Sequence, residues 1–213
     1  LKQEDIFLTQ LRAILRASIY GKIKLMIPLV TCIEEVQAVK KAIETAKEQL
    51  KENKKCFEEN IEVGIMIETP SAMMIADILA EEVDFFSIGT NDLTQYIMAV
   101  DRGNDNVSYL YSAFHPSVIR AIKHIIESGH KAGITVEMCG EAASDPLMIP
   151  LLIAFGLDEF SVSAAVTLKT RRAISKWSKA HAKKVAENVL KMKSEKEIVN
   201  YLKQEVESCG SIL

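Results

Sequence analysis

Short apolar runs alternate with amphipathic segments along most of this chain, and this alternation limits the folds that it can adopt. The wholly apolar stretch at residues 64–67 is typical of a strand buried on both faces of a parallel sheet. Between such runs, apolar residues recur every three or four positions, as in amphipathic helices. The clearest helical stripes are Val36, Val39, Ile43, Ala46 and Leu50, then Val118, Ile119, Ile122, Ile125 and Ile126. Strands alternating with helices predict an α/β fold with a parallel sheet.

We expect five strands, at residues 22–28, 61–67, 83–89, 134–138 and 157–162. No internal repeat or linker divides the chain, so residues 1–213 are interpreted as one domain. An eight-stranded (β/α)8 barrel has about 250 residues, which is more than the 213 residues of this chain. Two architectures therefore remain open, a smaller doubly wound sheet and a barrel without its first strands.

The overall composition excludes several classes of protein. A net charge of −3 provides no broad basic field for nucleic acid or anionic membranes. No apolar run approaches the roughly 20 residues that span a bilayer. Four cysteines without paired spacing favour reduced thiols in the cytoplasm over a disulfide framework. The amino-terminal residues have neither a Met nor a signal-peptide pattern, and we interpret the chain as part of a longer protein.

Three of the predicted strands end in groups that can do chemistry. Residues 61–67 are followed by Glu68, residues 83–89 by Asn91 and Asp92, and residues 134–138 by Cys139. In open parallel sheets and in barrels, ligands bind at the carboxyl ends of the strands. The sequence therefore predicts a single site formed by these three strand ends.

Glu68 and Asp92 are the candidate metal ligands. Two carboxylates at strand ends can share one hard cation, and Mg²⁺ is commonly held by one or two carboxylates together with substrate oxygens and water. The alternative is that each acid only stabilises the amino terminus of its own helix. Because the two acids occupy matching positions after their strands, we favour the metal site.

Asn91 and Arg102 are the candidate anion-binding residues. Asn91 lies where a helix amino terminus would bind a phosphate or carboxylate, and the guanidinium of Arg102 can bind either group bidentately. The alternatives are ordinary helix capping by Asn91 and a solvated ion pair of Arg102 with Asp101 or Asp105. Taken alone, neither residue decides between these roles.

Cys139 is the candidate proton donor. With a reference pKa of about 8.5, a thiol is mostly protonated at neutral pH and can deliver hydrogen to carbon. A nucleophilic role is also open, although no histidine lies near it in the sequence. The simplest alternative is a small buried apolar side chain.

These motifs together resemble the phosphoenolpyruvate-binding domain of the phosphoenolpyruvate-utilising enzymes. The resemblance runs from about residue 6 to residue 161, and the stretch from Asp84 to Asp105 is its most specific part. Within the family, the motifs are most similar to the Enzyme I group, the phosphoenolpyruvate–protein phosphotransferases of the bacterial sugar phosphotransferase system. Pyruvate phosphate dikinase and phosphoenolpyruvate synthase share the motifs but differ more around them.

The resemblance implies a (β/α)8 TIM-barrel fold, of which this chain is the later portion, without roughly the first three strands. It implies that Glu68 and Asp92 bind Mg²⁺ and that Asn91, Asp92 and Arg102 bind the substrate, with Asn91 and Arg102 holding its phosphate. It further implies that Cys139 protonates the enolate as pyruvate forms. It also implies a homodimer, a phosphohistidine on a separate amino-terminal domain, and the phosphocarrier protein HPr as acceptor.

The resemblance leaves parts of such an enzyme unaccounted for. The further phosphate-binding arginines would belong to earlier strands, and no histidine here has the setting of the phosphorylated one. We therefore expect this chain alone not to complete phosphotransfer. The rival interpretations are a dikinase or synthase barrel, a non-catalytic dimerisation or sensing module, and a magnesium-dependent lyase barrel.

Several local predictions concern element ends. Pro70 and Pro116 are expected to open helices, and Gly129 and Gly133 to close the second of these. Residues 144–146 are expected to cap and begin a short helix in which Pro150 introduces a kink. Ser194 and Glu197 fit a capping box for the last helix.

Overall fold

The structure, a computed structural model, describes residues 3–210 of the chain. Residues 1, 2 and 211–213 of the predicted single domain lie outside the described residues. The strands are β1 (Lys24–Ile27), β2 (Glu62–Ile67), β3 (Phe85–Gly89), β4 (Thr135–Cys139) and β5 (Glu159–Phe160). The helices are α1 (Glu4–Ala17), α2 (Ile33–Glu52), α3 (Pro70–Met74), α4 (Ala76–Ala80), α5 (Thr90–Met98), α6 (Pro116–Ala132), α7 (Ile149–Phe155), α8 (Thr167–Ser175), α9 (Lys179–Val189) and α10 (Glu195–Gly210).

The five strands form one parallel sheet in the order in which they occur in the chain. Helices connect each strand to the next, as parallel pairing requires. This is the successive β–α order of a (β/α) barrel, and the predicted α/β fold with five strands is confirmed. Within residues 3–210, β1 pairs only with β2 and β5 only with β4, so the sheet is open at both edges.

Alternation along the strands gives the sheet two different faces. The helix-covered face carries the buried residues Ile65, Ile67, Phe86, Ile88, Val136 and Met138. The opposite face carries Met66, Ser87, Glu137 and the strand-end residues Gly89 and Cys139. Reactive groups at the strand ends therefore lie on the face that the helices do not cover.

Two apolar clusters hold the sheet and helices together. The larger one packs the covered sheet face against α4, α6, α7, α9 and α10, and includes the predicted stripe of α6. The smaller one packs α1 against α2 and β1, and includes Val39, Ile43, Ala46 and Leu50 of the other predicted stripe. Both helical stripes are buried, as their spacing predicted.

Three helix ends behave as the sequence predicted, and a fourth does so in part. Pro70 and Pro116 are the first residues of α3 and α6. Gly133 ends α6 with a left-handed φ of 79°.

The predicted capping box at the start of α10 is only half formed. The amide of Glu197 donates to Ser194 Oγ at 3.3 Å, as the motif requires. The Glu197 carboxylate accepts from the amide of Lys193 (3.0 Å), one residue before the position that the motif specifies.

Other local predictions were wrong. Gly129 lies inside α6, where a Cβ would approach Val136 Cγ2 to 2.4 Å, so this glycine permits close packing and does not end the helix. Residues 144–146 do not cap and begin α7, which starts at Ile149. Pro150 therefore lies in the first turn and not in the helix interior, and its missing N–H breaks no bond there. The last strand is only Glu159–Phe160, shorter than the apolar run suggested.

Two further properties concern the whole described chain. No helix within residues 3–210 is long and apolar enough to cross a membrane. All four cysteines carry free thiols, in agreement with the unpaired spacing of Cys32, Cys56, Cys139 and Cys209.

Candidate active site

Glu68 follows β2 directly and is held in a buried position. Its side chain is 3% exposed, and its Oε1 accepts a hydrogen bond from the amide of Leu29 at 2.7 Å. The next residue, Thr69, caps α3 by accepting from the amide of Ala72 (3.1 Å). The start of α3 thus fixes the direction in which the chain leaves the strand, and with it the position of the Glu68 carboxyl group.

Asp92 lies in the first turn of α5, near enough to Glu68 for its negative charge to act on that carboxyl group. Burial raises the pKa of Glu68, and the adjacent negative charge of Asp92 raises it further, while the Leu29 amide opposes both effects. Two neighbouring carboxylates repel each other, and a cation bound between them would offset this repulsion. A divalent cation bound between Glu68 and Asp92 would therefore reduce the repulsion between the two carboxylates.

Gly89 makes this approach possible. A Cβ at this position would lie 2.8 Å from Met66 Sδ and 2.9 Å from Glu68 Oε2. Any side chain on the last residue of β3 would therefore displace the Glu68 carboxylate.

Arg102 lies beyond the carboxyl end of α5 and turns back toward its amino end. Its Nη2 is 3.6 Å from Asp92 Oδ1, and its amide donates to Gln95 Oε1 at 3.1 Å. The alternative that the sequence left open, an ion pair with Asp101 or Asp105, is not the arrangement observed. The guanidinium is still 44% exposed, so an incoming anion can reach it.

Asn91 is fixed by contacts from two later segments. Its Oδ1 accepts from the amide of Glu141 (3.2 Å), and its backbone carbonyl accepts from the Tyr111 hydroxyl (3.2 Å). Since Oδ1 is engaged by an N–H, the amide nitrogen of the side chain is the end that can donate to an anion. Burial raises the pKa of Tyr111, and the positive charge of Arg102 acts in the opposite direction.

Cys139 ends β4 directly beside Gly89, its register partner on β3. Its Sγ lies 3.6 Å from Ser87 Oγ and 3.6 Å from the carbonyl oxygen of Ile88. Burial raises the pKa of Cys139; the Ser87 hydroxyl opposes this shift, whereas the negative charges of Glu137 and Glu68 add to it. The thiol is thus kept protonated at neutral pH, in the form that can give a proton to carbon.

Gly140 lets the β4 end approach the start of α5. Its φ is +89°, and a Cβ there would lie 2.4 Å from Thr90 Oγ1 and 3.1 Å from Asn91 Oδ1. The Thr90 hydroxyl donates to the Cys139 carbonyl across this junction (3.0 Å). The end of β4 is therefore held against the start of α5 by a backbone carbonyl and by short side chains.

The structure brings the five sequence-predicted residues to one edge of the sheet. Glu68 lies near Asp92, Arg102 lies beside Asp92, Asn91 precedes Asp92 and is bonded to the segment after Cys139, and Cys139 adjoins Gly89. Within residues 3–210, no group of three or more His, Cys, Asp or Glu side chains is arranged to hold a metal ion. Two carboxylates still match the protein share of a typical Mg²⁺ site, which is completed by substrate and water.

Three contributors were missed by sequence reasoning: Leu29, Ser87 and Tyr111. Ser87 could have been found, because two-residue alternation along β3 puts it on the face of Gly89. Leu29 acts through its backbone amide, and Tyr111 reaches the carbonyl of Asn91 from a loop. No sequence pattern indicates such contacts. A cavity of about 700 Å³ between α1 and the loop after β1 is lined by Leu29 but by none of the five predicted residues.

Residues 1–179 match the family described as "PEP-utilising enzyme, PEP-binding domain". The chain is 48% identical over 204 residues to a phosphoenolpyruvate–protein phosphotransferase of Bacillus subtilis, covering 96% of this chain and 36% of that protein. It is 46% identical over 204 residues to the protein of the same name from Geobacillus stearothermophilus, covering 96% of this chain and 35% of that protein. The chain thus spans about a third of the length of these curated relatives.

A solved structure shares the fold. The crystal structure of a citrate lyase from Burkholderia xenovorans superimposes with a TM-score of 0.59 at 16% identity, covering 95% of this chain and 69% of that one. At this level of identity the likeness concerns the fold alone. It agrees with the barrel-type order of strands and helices described above.

Proposed function

The chain belongs to the family of phosphoenolpyruvate-utilising enzymes, through their phosphoenolpyruvate-binding domain, and from this premise we propose that it forms the substrate- and Mg²⁺-binding part of a phosphoenolpyruvate–protein phosphotransferase. The observation that carries the proposal is the placement of Glu68 and Asp92 after neighbouring strands, with Arg102 Nη2 3.6 Å from Asp92 Oδ1 and Cys139 on the next strand. Carboxylates, a guanidinium and a protonated thiol are the groups that this reaction requires.

Glu68 and Asp92 would hold the Mg²⁺ ion, which when bound neutralises charge on the phosphate and on the developing enolate. Their donor set is all oxygen, which is the preference of Mg²⁺. Burial and mutual repulsion make the metal-free pair unfavourable, and a cation removes that cost. Asp92 would exchange its contact with Arg102 for the metal, so that the guanidinium becomes available to the substrate.

Arg102 and the side-chain amide of Asn91 would bind the phosphate. The guanidinium can present two parallel N–H groups to phosphate oxygens. Asn91 lies in the first turn of α5, where backbone amides point toward an incoming anion. Positive charge fixed in advance around the phosphate stabilises the transferring group as its bond to the enolate oxygen breaks.

Cys139 would supply the proton that converts the enolate to pyruvate. The S–H bond breaks, its proton forms a C–H bond using the enolate electron pair, and the electron pair of the S–H bond stays on sulfur as a thiolate. A raised pKa ensures that the thiol carries the proton when the enolate forms. The Ser87 hydroxyl beside the sulfur can stabilise the resulting charge.

We infer that the phosphoryl group is accepted by a histidine outside this chain, on an amino-terminal domain, and passes from there to HPr for sugar uptake. Three of the four histidines here have other contacts: His115 caps α6, His130 contacts Asp158 (3.0 Å), and His181 contacts Glu205 (3.0 Å). The fourth, His124, is an exposed residue of α6. We further infer a homodimer and a cytoplasmic location, from the resemblance to the Enzyme I group.

The test is transfer of radiolabelled phosphate from phosphoenolpyruvate in the longer protein that carries this chain. Glu68→Gln and Asp92→Asn should abolish Mg²⁺-dependent labelling, because each removes one metal ligand without changing side-chain size. Glu127→Gln, an exposed glutamate of α6 paired with Lys123, is the matched control and should label normally. Normal labelling of both site variants would refute the proposal.

A further inference from the structure

Leu29, in the loop between β1 and α2, has a backbone conformation that is unfavourable for leucine. Its φ is +53°, in the left-handed region that bulky residues seldom adopt. Two other non-glycine residues in the described part of the chain have positive φ, Lys54 and Ala99. They lie at the carboxyl ends of α2 and α5, where this conformation is common. Leu29 ends no helix. Its side chain is 55% exposed, so burial does not compensate for the strain.

The strained conformation directs the Leu29 amide at the buried carboxylate of Glu68. The N–H donates to Glu68 Oε1 at 2.7 Å, a short bond of the kind formed to charged acceptors. A sparsely populated backbone conformation at a candidate site indicates that the residue has a role there.

Two further bonds hold the same loop against the end of β2. The Thr69 hydroxyl donates to the carbonyl of Val30 (2.7 Å), and the Ser71 hydroxyl donates to the carbonyl of Thr31 (2.7 Å). Three successive loop residues are thus each bonded to the segment that begins with Glu68. The loop cannot relax to an ordinary conformation without breaking these contacts.

We propose that Leu29 is a positioning residue for Glu68, whose backbone N–H, held in a strained conformation by the loop, fixes one carboxylate oxygen and leaves the other toward Asp92. The inference rests on the proposed function in so far as Glu68 binds the metal ion. Outer groups that orient a metal-binding carboxylate typically change metal affinity by about 10- to 100-fold. The side chain of Leu29 has no part in this role.

The first experiment deletes only the donor, by replacing the amide of residue 29 with an ester through incorporation of the α-hydroxy analogue of leucine. Mn²⁺ binding to the longer protein that carries this chain, measured by electron paramagnetic resonance of the free ion, should weaken about tenfold or more. Leu29→Ala and Leu29→Gly both keep the N–H and should bind Mn²⁺ within about twofold of the unaltered protein.

The matched control is an ester at Val63, whose amide donates to Asp84 Oδ2 at the same 2.7 Å, at the opposite end of β2. It should leave Mn²⁺ affinity unchanged and so accounts for general effects of the ester. Equal Mn²⁺ affinity in the Leu29 ester, the Val63 ester and the unaltered protein would overturn the inference.

A second measurement needs no metal ion. The Leu29 amide should exchange its hydrogen slowly because Glu68 accepts it, and Glu68→Ala should accelerate exchange about tenfold or more. Glu62→Ala, an exposed strand glutamate, should not. If the unaltered protein binds no Mn²⁺, the proposed metal site fails, and amide exchange alone decides the inference. Unchanged exchange in Glu68→Ala would overturn it whatever the metal result.

Discussion

Arg102 Nη2 lies 3.6 Å from Asp92 Oδ1, on the carboxylate whose negative charge acts on Glu68. The cationic side chain thus pairs with a carboxylate that, under the proposed function, would bind the metal ion. Substrate and metal would separate this pair, since phosphate attracts the guanidinium and the metal attracts the carboxylate. Both side chains are more than a third exposed, so water weakens their attraction and the exchange costs little.

Arg102→Gln should therefore affect the two ligands in opposite directions. Phosphoenolpyruvate affinity should fall about tenfold or more, because a charge-assisted bidentate contact is lost. Mn²⁺ affinity without substrate should stay equal or rise about two- to threefold, because a competing positive charge is removed. Isothermal titration calorimetry with each ligand checks both changes. A parallel loss of Mn²⁺ affinity would show that Arg102 holds the site together and does not compete for Asp92.

The raised pKa of Glu68 predicts how the stability of the folded protein depends on pH. The pKa of this acid is higher in the folded state than its ordinary value of 4.5. As pH rises from 4.5 through the raised value, the folded protein loses stability, because a charge must then be buried. In metal-free buffer, Glu68→Gln should remove this loss and unfold at a higher urea concentration at neutral pH. Urea midpoints measured across that pH range test the prediction.

Added Mg²⁺ provides the control for this pH effect. It should stabilise the unaltered protein at neutral pH and leave Glu68→Gln nearly unaffected, because binding only to the folded state raises stability. A Glu68→Gln protein that is less stable than the unaltered one in metal-free buffer would contradict the assignment.

Gly140→Ala should disrupt the junction between β4 and α5. The residue has φ +89° and its Cβ would lie 2.4 Å from Thr90 Oγ1, so both conformation and space oppose a side chain. Strain of this kind costs about 1–3 kcal/mol, which urea denaturation can measure. Alkylation of Cys139 should also change, since the adjacent backbone must shift.

Gly133→Ala is the matched control for Gly140→Ala. It has φ +79° with no atom within 4 Å of its Cβ position, and should cost about 1 kcal/mol without altering Cys139 alkylation. Equal effects of the two substitutions would show that the close contact at Gly140 is unimportant.

Gly129→Ala should destabilise the protein although alanine is the better helix former. In an open helix interior the change would gain about 1 kcal/mol. Here the added methyl group would lie 2.4 Å from Val136 Cγ2, and overpacking of this kind costs about 1–3 kcal/mol. Thermal unfolding checks the sign. The double variant Gly129→Ala, Val136→Ala should recover part of the loss if the contact is its cause.

The periodic features of the sequence predicted the fold well. Apolar stripes such as that from Val118 to Ile126 occupy the buried face of their helix, and all five strands exist, because burial of one face follows directly from spacing. The ends of elements were less predictable. From the sequence alone, Gly129 and Pro150 could each lie at the end of a helix or in its interior. Only tertiary packing decides which position each one takes.

The candidate site was predictable where its residues follow strands. Glu68, Asp92 and Cys139 lie at the ends of neighbouring parallel strands, and parallel strands must bring their carboxyl ends to one edge. The supporting contacts were not predictable, because Leu29 acts through its amide and Tyr111 through a loop of irregular structure. Such contacts depend on backbone geometry that side-chain patterns do not record.

Neighbouring strands of a sheet are about 4.8 Å apart, and the register Gly89–Cys139 puts one strand between the thiol and Glu68. The Glu68 carboxylate nevertheless reaches back over β3, because a Cβ on Gly89 would lie 2.9 Å from Glu68 Oε2. Under the proposed function, the metal ligands and the proton donor therefore flank a single strand end, and a substrate must bring its phosphate and its enolate carbon there together. Homologous acids with a longer carbon skeleton should bind through their phosphate yet present the wrong atom to Cys139, so the spacing of the strand ends would discriminate between substrates by length.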